Sequence, residues 1–228
     1  MTALIPGEAV PLPSSEALRR ALALYRPVGL GVTAFVTIRH WLAPIAAVLD
    51  ALPAGGRLLD VGCGHGLFAN AAALACTTRT VVGIDPSPVK IGAALAAGRA
   101  VSNVSFVQGV VQDAPTGPFD AISILDVLYL LPVEQKLAIL RACRERIAVD
   151  GVLLLKANDT APRWKYQVAR AQEVLMTRVG LTLGHGDLHF LSREQNAALL
   201  ELAGFRPTIH VLETWLPYPH VLITGVPA

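Results

Sequence analysis

Charge is scarce in this sequence. Lysine, arginine, aspartate and glutamate together make up 16% of the 228 residues, whereas apolar residues make up 53%. The net charge is only +2, and no run of basic residues alternates with aromatic ones. Binding to nucleic acid by electrostatics needs a basic patch or stripe. The composition therefore predicts no nucleic-acid partner, and it predicts a large core together with an apolar cleft or an apolar associating surface.

Cysteine is also rare. Cys63, Cys76 and Cys143 are odd in number, lie in apolar segments and lack the spacing of metal ligands. A disulfide framework needs paired cysteines and an oxidising compartment. The cysteines therefore predict reduced thiols, no metal bound by them and a cytoplasmic protein.

Long uninterrupted apolar runs are absent too. The stretch 28–49 is apolar, but Arg39, His40 and Pro44 interrupt it, and a spanning helix needs about 20 apolar residues. Residues 1–13 lack the charged start and apolar core of a secretory signal. We therefore expect no membrane span, and transient contact with an interface is the more plausible relation to a bilayer.

What the sequence does contain is a regular alternation of strand-like and helix-like segments. The predicted strands lie at 57–61, 79–84, 103–108, 119–125, 151–156, 205–213 and 218–225. The predicted helices lie at 66–75, 87–98, 133–147, 161–179 and 192–203. This order predicts an α/β fold with a doubly wound, mostly parallel seven-stranded sheet and helices on both faces. The two closing strands have no helix between them, which predicts an antiparallel last strand.

Two helices precede this alternation. One is expected from Ser15 to Leu24, and a second from Val32 to Leu52 with a kink or break at Pro44. Residues 1–54 are therefore interpreted as an arm with helices, ahead of an α/β domain at 55–228.

The first predicted strand ends in a glycine-rich turn. Gly62, Gly64 and Gly66 follow Asp60 and precede an alanine-rich helix. Glycine lets a ligand approach the backbone closely, and a helix N-terminus offers N–H groups to the ligand. The dinucleotide fingerprint G-x-G-x-x-G has a different spacing. Besides a site for another kind of ligand, two alternatives stay open for this turn. One is a turn that uses glycine only for tight packing, and the other is a nicotinamide-binding turn.

The stretch from Leu58 to Ala69 closely resembles motif I of the class I S-adenosylmethionine-dependent methyltransferases, and the resemblance extends over about 55–225. It implies S-adenosylmethionine as the cofactor. It also implies that the helices of 1–54 form a lid, as in related small-molecule methyltransferases. The cofactor-binding residues implied by motif I are Asp60, Gly62, Cys63, Gly64 and Gly66.

The second strand of the domain ends at Asp85, which also resembles the family pattern. The resemblance implies that the Asp85 carboxylate binds the ribose hydroxyls and that Pro86 lies beside the adenine. An aspartate that only caps the following helix is the alternative.

The segment 106–113 resembles the family segment that holds the adenine, with one departure. Val110 stands where the family commonly has an acid. Backbone groups of Val111, or the side chains of Gln112 or Asp113, are interpreted as its substitutes.

The segment 119–132 resembles the fourth-strand motif of the family. The resemblance implies that Asp126 and Val127 bind the methionine part of the cofactor and that Tyr129 lines the acceptor side. Core packing alone is an alternative for Val127. It is a weak one for Asp126, because a charged side chain among apolar residues needs a partner.

The fifth strand and the helix after it carry further polar residues. Lys156 and Asp159 are interpreted as acceptor-site residues, and a surface pair between the two is the alternative. The segment 163–178 mixes aromatic residues with arginine and lysine. It is interpreted either as a clamp for an anionic group of the acceptor or as a solvated helix face.

His185, Asp187 and His189 alternate, and they share a face if the segment is extended. Three interpretations stay open: an acid/base or substrate contact, a divalent metal site and an ordinary loop. If the acceptor must lose a proton, the candidate bases are His189, His185 and His40, in that order, and Tyr129 is a further candidate catalytic residue. We predict no resident metal.

The acceptor is predicted to be a small apolar or amphiphilic molecule, lipid-like or with an anionic head. The chain lacks the N-P-P-Y segment of some amino-group methylases, so O- or C-methylation is favoured over N-methylation. A non-catalytic protein that binds S-adenosylmethionine and, less favoured, an NAD(P)-dependent oxidoreductase are the rival functions. The sequence leaves the oligomeric state open.

Overall fold

The computed structural model of this chain describes residues 11–178, 188–214 and 216–228. Its strands are β1 Gly56–Val61, β2 Arg79–Asp85, β3 Val104–Gln108, β4 Phe119–Leu125, β5 Ile147–Asn158, β6 Phe205–Val211 and β7 His220–Pro227. Its α-helices are α1 Ser14–Ala23, α2 Leu30–Leu42, α3 Ile45–Asp50, α4 Leu67–Ala75, α5 Pro88–Gly98, α6 Val133–Arg144, α7 Arg163–Arg178 and α8 Arg193–Leu202. Short 3-10 turns occupy Val111–Asp113 and Leu128–Leu130.

The seven strands form one sheet in the order β3-β2-β1-β4-β5-β7-β6. Strands β1 to β5 pair in parallel, and β7 pairs antiparallel with both β5 and β6. The predicted fold class, including the antiparallel last strand, is confirmed.

The register of the strands decides where a site can form. Val61 of β1 pairs with Ile84 of β2 and with Ile124 of β4, and Leu125 pairs with Lys156 of β5. The carboxyl ends of these four strands therefore lie at one edge of the sheet. The strand order reverses between β2 and β4, on the two sides of β1. Ligands of open α/β sheets bind in the crevice at such a switch point.

Successive side chains of the sheet enter two separate cores. Leu59 of β1 packs in a cluster with Leu140 of α6 and Leu200 of α8. The neighbouring Leu58 packs in a second cluster with Phe68 of α4 and with residues of α1 and α3. Because adjacent strand residues point to opposite faces, this division places helices on both sides of the sheet.

Several predicted boundaries differ from the structure by a few residues. The helix expected from Val32 to Leu52 is divided at Pro44, one of the two outcomes expected there, into α2 and α3, with Pro44 at the N-cap of α3. Proline cannot donate the N–H that a continuous helix would need there. The helix predicted for 133–147 ends at Arg144, because Ile147 already pairs with Phe119 as the first residue of β5.

The N-terminal helices pack on the same core as the sheet. Leu18 and Tyr25 belong to the cluster that contains Leu58. The division into a lid at 1–54 and a cofactor domain at 55–228 stays a prediction. Within the described part of the chain, no helix combines the length and apolarity that crossing a bilayer requires.

Tyr25 connects these helices to the glycine turn. Its ring is fully buried, and its hydroxyl donates to the carbonyl oxygen of His65 over 2.6 Å. The side-chain amide of Asn70 in α4 donates to the same hydroxyl over 3.2 Å. The hydroxyl therefore holds the turn and the following helix against the end of α1.

We expect Tyr25→Phe to lower the free energy of unfolding by about 1–3 kcal/mol, because the substitution leaves two buried polar groups without their partner. Urea unfolding followed by circular dichroism measures this change. An unfolding free energy equal to that of the wild type would contradict the role assigned to the hydroxyl.

Candidate active site

A cavity of about 680 Å³ opens at the edge of the sheet where the strands end. The glycine turn after β1 and the ends of β2, β4 and β5 form one side of it. Residues of α2 and α3, including Phe35, Val36 and Ile45, form an apolar side. Its volume lies in the range of about 300–1,000 Å³ typical of small-molecule sites.

The three glycines of the turn have different surroundings. All three have positive φ angles, of 72° at Gly62, 55° at Gly64 and 81° at Gly66. A Cβ at Gly62 would lie 2.4 Å from a methyl of Val127, and one at Gly66 would lie 2.6 Å from the ring of Phe106. A Cβ at Gly64 would have no neighbour within 4 Å. Gly62 and Gly66 therefore allow tight packing, and Gly64 leaves its backbone open to a ligand.

Asp60 lies beneath this turn. It is 2% exposed and lines the cavity, and its Oδ1 accepts a hydrogen bond from the Ser123 hydroxyl over 2.8 Å. Its Oδ2 is buried without a hydrogen-bond partner. Burial raises the pKa of Asp60 to about 7, against the smaller opposing effect of the Ser123 hydrogen bond. An unpartnered carboxylate oxygen at a cavity surface suits a cationic group of a ligand.

Asp85 joins two turns at the cavity. Its Oδ2 accepts the N–H of Gly64 and its Oδ1 accepts the N–H of Ser87, each over 2.9 Å. Ser87, not Asp85, is the N-cap of α5, since its hydroxyl accepts the N–H of Lys90. A carboxylate offers about four acceptor positions, so Asp85 retains capacity for ligand hydroxyls. Pro86 lines the cavity beside it.

The segment after β3 also reaches the cavity. Val110, Val111 and Gln112 line it, and Val111 is buried. The Asp113 carboxylate accepts the N–H of Val110 over 3.0 Å and so closes the short turn on itself. Of the three residues interpreted as substitutes for the missing acid, Val111 and Gln112 line the cavity, whereas the Asp113 carboxylate is used within its own turn.

Asp126 and Lys156 form an ion pair at the end of β4. The Lys156 Nζ lies 2.6 Å from Oδ1 and 2.8 Å from Oδ2 of Asp126. The Arg39 guanidinium of α2 lies 4.0 Å from Oδ2. Burial alone would raise the pKa of Asp126, but the positive charges of Lys156 and Arg39 hold it below its ordinary value. The alternative pairing of Lys156 with Asp159 is wrong, since Asp159 accepts N–H groups of Thr160 and Arg193.

The candidate catalytic residues are dispersed. Tyr129 lines the cavity and stacks on Phe190 with ring centroids 4.9 Å apart. The backbone N–H of His189 donates to the Tyr129 carbonyl over 2.8 Å. His40 has a buried Nδ1 without a partner, and its neighbour Arg39 is the residue that lines the cavity. His185 lies outside the described residues, as does Asp187.

Among the cavity residues that the sequence did not predict, Arg39 and His65 carry polar side chains. Arg39 lies one turn after Phe35 on α2, and both line the cavity. The i, i+4 spacing of an arginine and an aromatic residue was the available signal. His65 lies between two glycines of the turn and packs its ring 4.9 Å from that of Phe35. Burial, aided by the charge of Lys90, lowers the pKa of His65 to about 4, so this ring is neutral near pH 7.

This fold, with an acidic residue before a glycine turn and a second acid at the end of β2, is that of the class I methyltransferases. Residues 34–210 match the profile of a family described as "Methyltransferase domain". The chain belongs to this family, and the predicted class I S-adenosylmethionine-dependent methyltransferase is confirmed. The unpartnered oxygen of Asp60 and the open backbone at Gly64 fit such a cofactor.

Similar proteins agree with this assignment. The ubiquinone biosynthesis O-methyltransferase of Xanthomonas campestris pv. campestris (strain B100) is 33% identical over 130 residues, which are 54% of this chain and 53% of the relative. The chain thus matches about half the length of that relative. Magnesium protoporphyrin IX methyltransferase of Synechocystis PCC 6803, solved with bound SAH, shares the fold with a TM-score of 0.62. It is 21% identical, and the match covers 93% of this chain and 95% of that one.

Gly64→Ala tests the open backbone of the turn. We expect the affinity for S-adenosylhomocysteine to fall at least tenfold by calorimetry, because the new methyl occupies space at the cavity surface. The free energy of unfolding should fall by only about 1–2 kcal/mol, the cost of a left-handed alanine. Gly92→Ala is the control, since Gly92 is an open helical position in α5. Equal affinities of Gly64→Ala and the control would contradict the role of Gly64.

The buried carboxyl of Asp60 should make stability depend on pH. Its folded-state pKa of about 7 exceeds its ordinary value of 3.8, so the folded protein keeps a proton that the unfolded chain releases between those values. The contribution of Asp60 to the free energy of unfolding therefore falls as pH rises through that window. Relative to the wild type, Asp60→Asn should gain about 2 kcal/mol between pH 5 and pH 8. Urea unfolding at both values measures this gain, and parallel pH curves would contradict it.

Proposed function

We propose that this protein transfers the methyl group of S-adenosylmethionine to an oxygen atom of a small, largely apolar acceptor. The observation that carries the proposal is one continuous cavity with two chemically different sides. Asp60, Gly64 and Asp85 lie on one side, and the apolar residues of α2 and α3 lie on the other. Curated relatives named O-methyltransferases support oxygen as the receiving atom.

The carboxylates on the polar side would hold the cofactor. Asp85 has acceptor capacity for ribose hydroxyls, and Asp60 offers an unpartnered oxygen to an ammonium group. When bound, S-adenosylmethionine supplies a methyl group on a cationic sulfur, so the protein mainly has to position the acceptor. Gly64 allows the cofactor to lie against the backbone.

The apolar side would bind the acceptor. Phe35 and Val36 of α2, Ile45 of α3 and Leu130 after β4 line the cavity, and contact with them favours an acceptor with a hydrophobic body. Tyr129 also lines the cavity. A lipid-like acceptor, a cytoplasmic location and the roles of His189, His185, His40 and Tyr129 in catalysis remain parts of this proposal.

Transfer of label from methyl-labelled S-adenosylmethionine to a panel of phenols, enols and alcohols tests the proposal. We expect the wild type to label an apolar hydroxyl compound. Asp85→Asn should raise the KM for S-adenosylmethionine at least tenfold with a smaller change in kcat, because ribose binding is weakened. Asp120→Asn is the matched control, since Asp120 is an exposed carboxylate near the amino end of β4 that binds the Arg57 N–H.

Two outcomes would overturn the proposal. Binding of S-adenosylhomocysteine without methyl transfer to any acceptor of the panel would favour a non-catalytic binding protein. Binding of NADH without binding of S-adenosylhomocysteine would favour an oxidoreductase.

A further inference from the structure

Helix α2 is apolar on its outer side as well as on the side that faces the cavity. Its inner side lines the cavity through Phe35 and Val36. The exposed residues of the helix are all apolar, and they are Leu30, Gly31, Ala34, Ile38 and Trp41. Leu30 is 90% exposed, Trp41 67% and Ile38 52%. A helix that is apolar all round is normally buried, so the outer side of α2 is a candidate interface.

Helix α7 has a second exposed apolar stripe, and positive charges accompany it. Trp164 is 57% exposed, and Val168, one turn later, is 38% exposed. Arg163 and Arg170 are exposed as well, and neither lines the cavity. The sequence between these two arginines contains no acidic residue. The outward side of α7 therefore combines apolar side chains with positive charge.

The two stripes come together near His220, which is buried at the start of β7. Burial is the main cause that lowers the pKa of His220 to about 3, and among the smaller influences the charge of Lys165 contributes while the backbone of Leu42 opposes it. Both residues must lie near His220 to act on it. Leu42 follows Trp41 and Lys165 follows Trp164, so both exposed tryptophans lie at this corner of the molecule.

We call the exposed side chains of the two stripes the outer face. Its members are Leu30, Ala34, Ile38, Trp41, Trp164 and Val168. Tryptophan is enriched where a bilayer meets water, with its ring at the level of the headgroups. Basic residues beside an apolar surface are attracted to anionic lipids. A second copy of this chain would bring the same arginines to a symmetric contact, so the charge of the outer face suits an anionic surface better than self-association.

We propose that the outer face docks on the surface of a bilayer that contains anionic lipids. Trp41 and Trp164 then lie among the headgroups, and Arg163 and Arg170 lie against the lipid phosphates. This inference goes beyond the proposed function and does not depend on it. Because the inner side of α2 lines the cavity, docking brings the bilayer to about 10 Å from the acceptor side, the width of one helix. An apolar acceptor dissolved in the bilayer would then have a short path to the cavity.

Co-sedimentation of the full chain with sucrose-loaded vesicles tests the docking. One set of vesicles contains phosphatidylcholine alone, and the other contains equal parts of phosphatidylcholine and phosphatidylglycerol. We expect the wild type to partition into the anionic vesicles about tenfold more strongly than into the neutral ones. The difference should shrink as salt is added, because salt screens exposed charges. Tryptophan emission should shift to shorter wavelength on binding, since the exposed rings leave water.

The variant Ile38→Ser/Trp41→Ser tests the apolar part of the outer face. Its partitioning into anionic vesicles should fall about tenfold or more, because two apolar anchors are lost. The affinity for S-adenosylhomocysteine should change less than twofold, since neither residue lines the cavity. Val149→Ser/Leu202→Ser is the matched control and should bind as the wild type. It removes two side chains that are 86% and 65% exposed near the amino ends of β5 and β6, at the opposite edge of the sheet.

The variant Arg163→Gln/Arg170→Gln tests the positive charge of the outer face. It should lose most of the preference for anionic over neutral vesicles, because the two exposed cations on α7 are removed. Arg141→Gln/Arg206→Gln is the charge-matched control, since it removes two exposed arginines from α6 and β6. The control should keep the preference of the wild type.

Three results would overturn the inference. One is a wild type that sediments with neither kind of vesicle, and another is an equal loss of binding in an outer-face variant and its control. The third is a dimer, detected by light scattering, that Ile38→Ser/Trp41→Ser abolishes while vesicles are not bound, which would assign the outer face to a second copy of the chain. Vesicle binding without methyl transfer to any acceptor would instead reject the proposed function and leave the docking surface standing.

Discussion

The close packing of the turn after β1 is the constraint on which the rest of the site depends. Gly62 lies against Val127 and Gly66 lies against Phe106, at distances that no Cβ would allow. These contacts join the turn to the segment after β4 and to the middle of β3, and the Asp85 carboxylate joins it to the end of β2. These contacts therefore hold the neighbouring strands around one cavity. The backbone between the two packed glycines is what a ligand can approach.

The site contains two buried carboxylates with opposite electrostatics. Asp60 has a neutral hydroxyl as its partner, so burial dominates and raises its pKa to about 7. Asp126 is also largely removed from solvent, but it has an ammonium and a guanidinium beside it, and these charges reverse the effect of burial on its pKa. Environments that shift the pKa values of similar groups in opposite directions are typical of functional sites. The Asp60 carboxyl can bind a cationic group of a ligand, whereas the Asp126 carboxylate holds Lys156 and Arg39 in place.

The sequence predicted the fold and the cofactor, and for a physical reason. A buried parallel strand, a glycine turn and a helix follow one another within a dozen residues, so residues that are neighbours in the motif also lie together in the fold. Asp60, Gly64 and Asp85 lie at the cavity because each is at, or within three residues of, the carboxyl end of β1 or β2. The break at Pro44 was also predictable, because the missing N–H is a property of the residue itself.

The acceptor side was harder to predict, because its contacts join distant segments. A pair of Lys156 with the neighbouring Asp159 was the alternative left open, but the fold places Lys156 against Asp126, 30 residues earlier in the chain. His40 was named as a candidate base and Arg39 was not a candidate, yet Arg39 is the one of the two that lines the cavity. Neither register nor helix rotation can be deduced from residue types at such separations. A methyl donor is recognised by a local motif common to a family, whereas an acceptor is recognised by side chains that only the complete fold brings together. This difference explains why the cofactor could be named from the sequence, whereas the contacts of Lys156 and Arg39 could not.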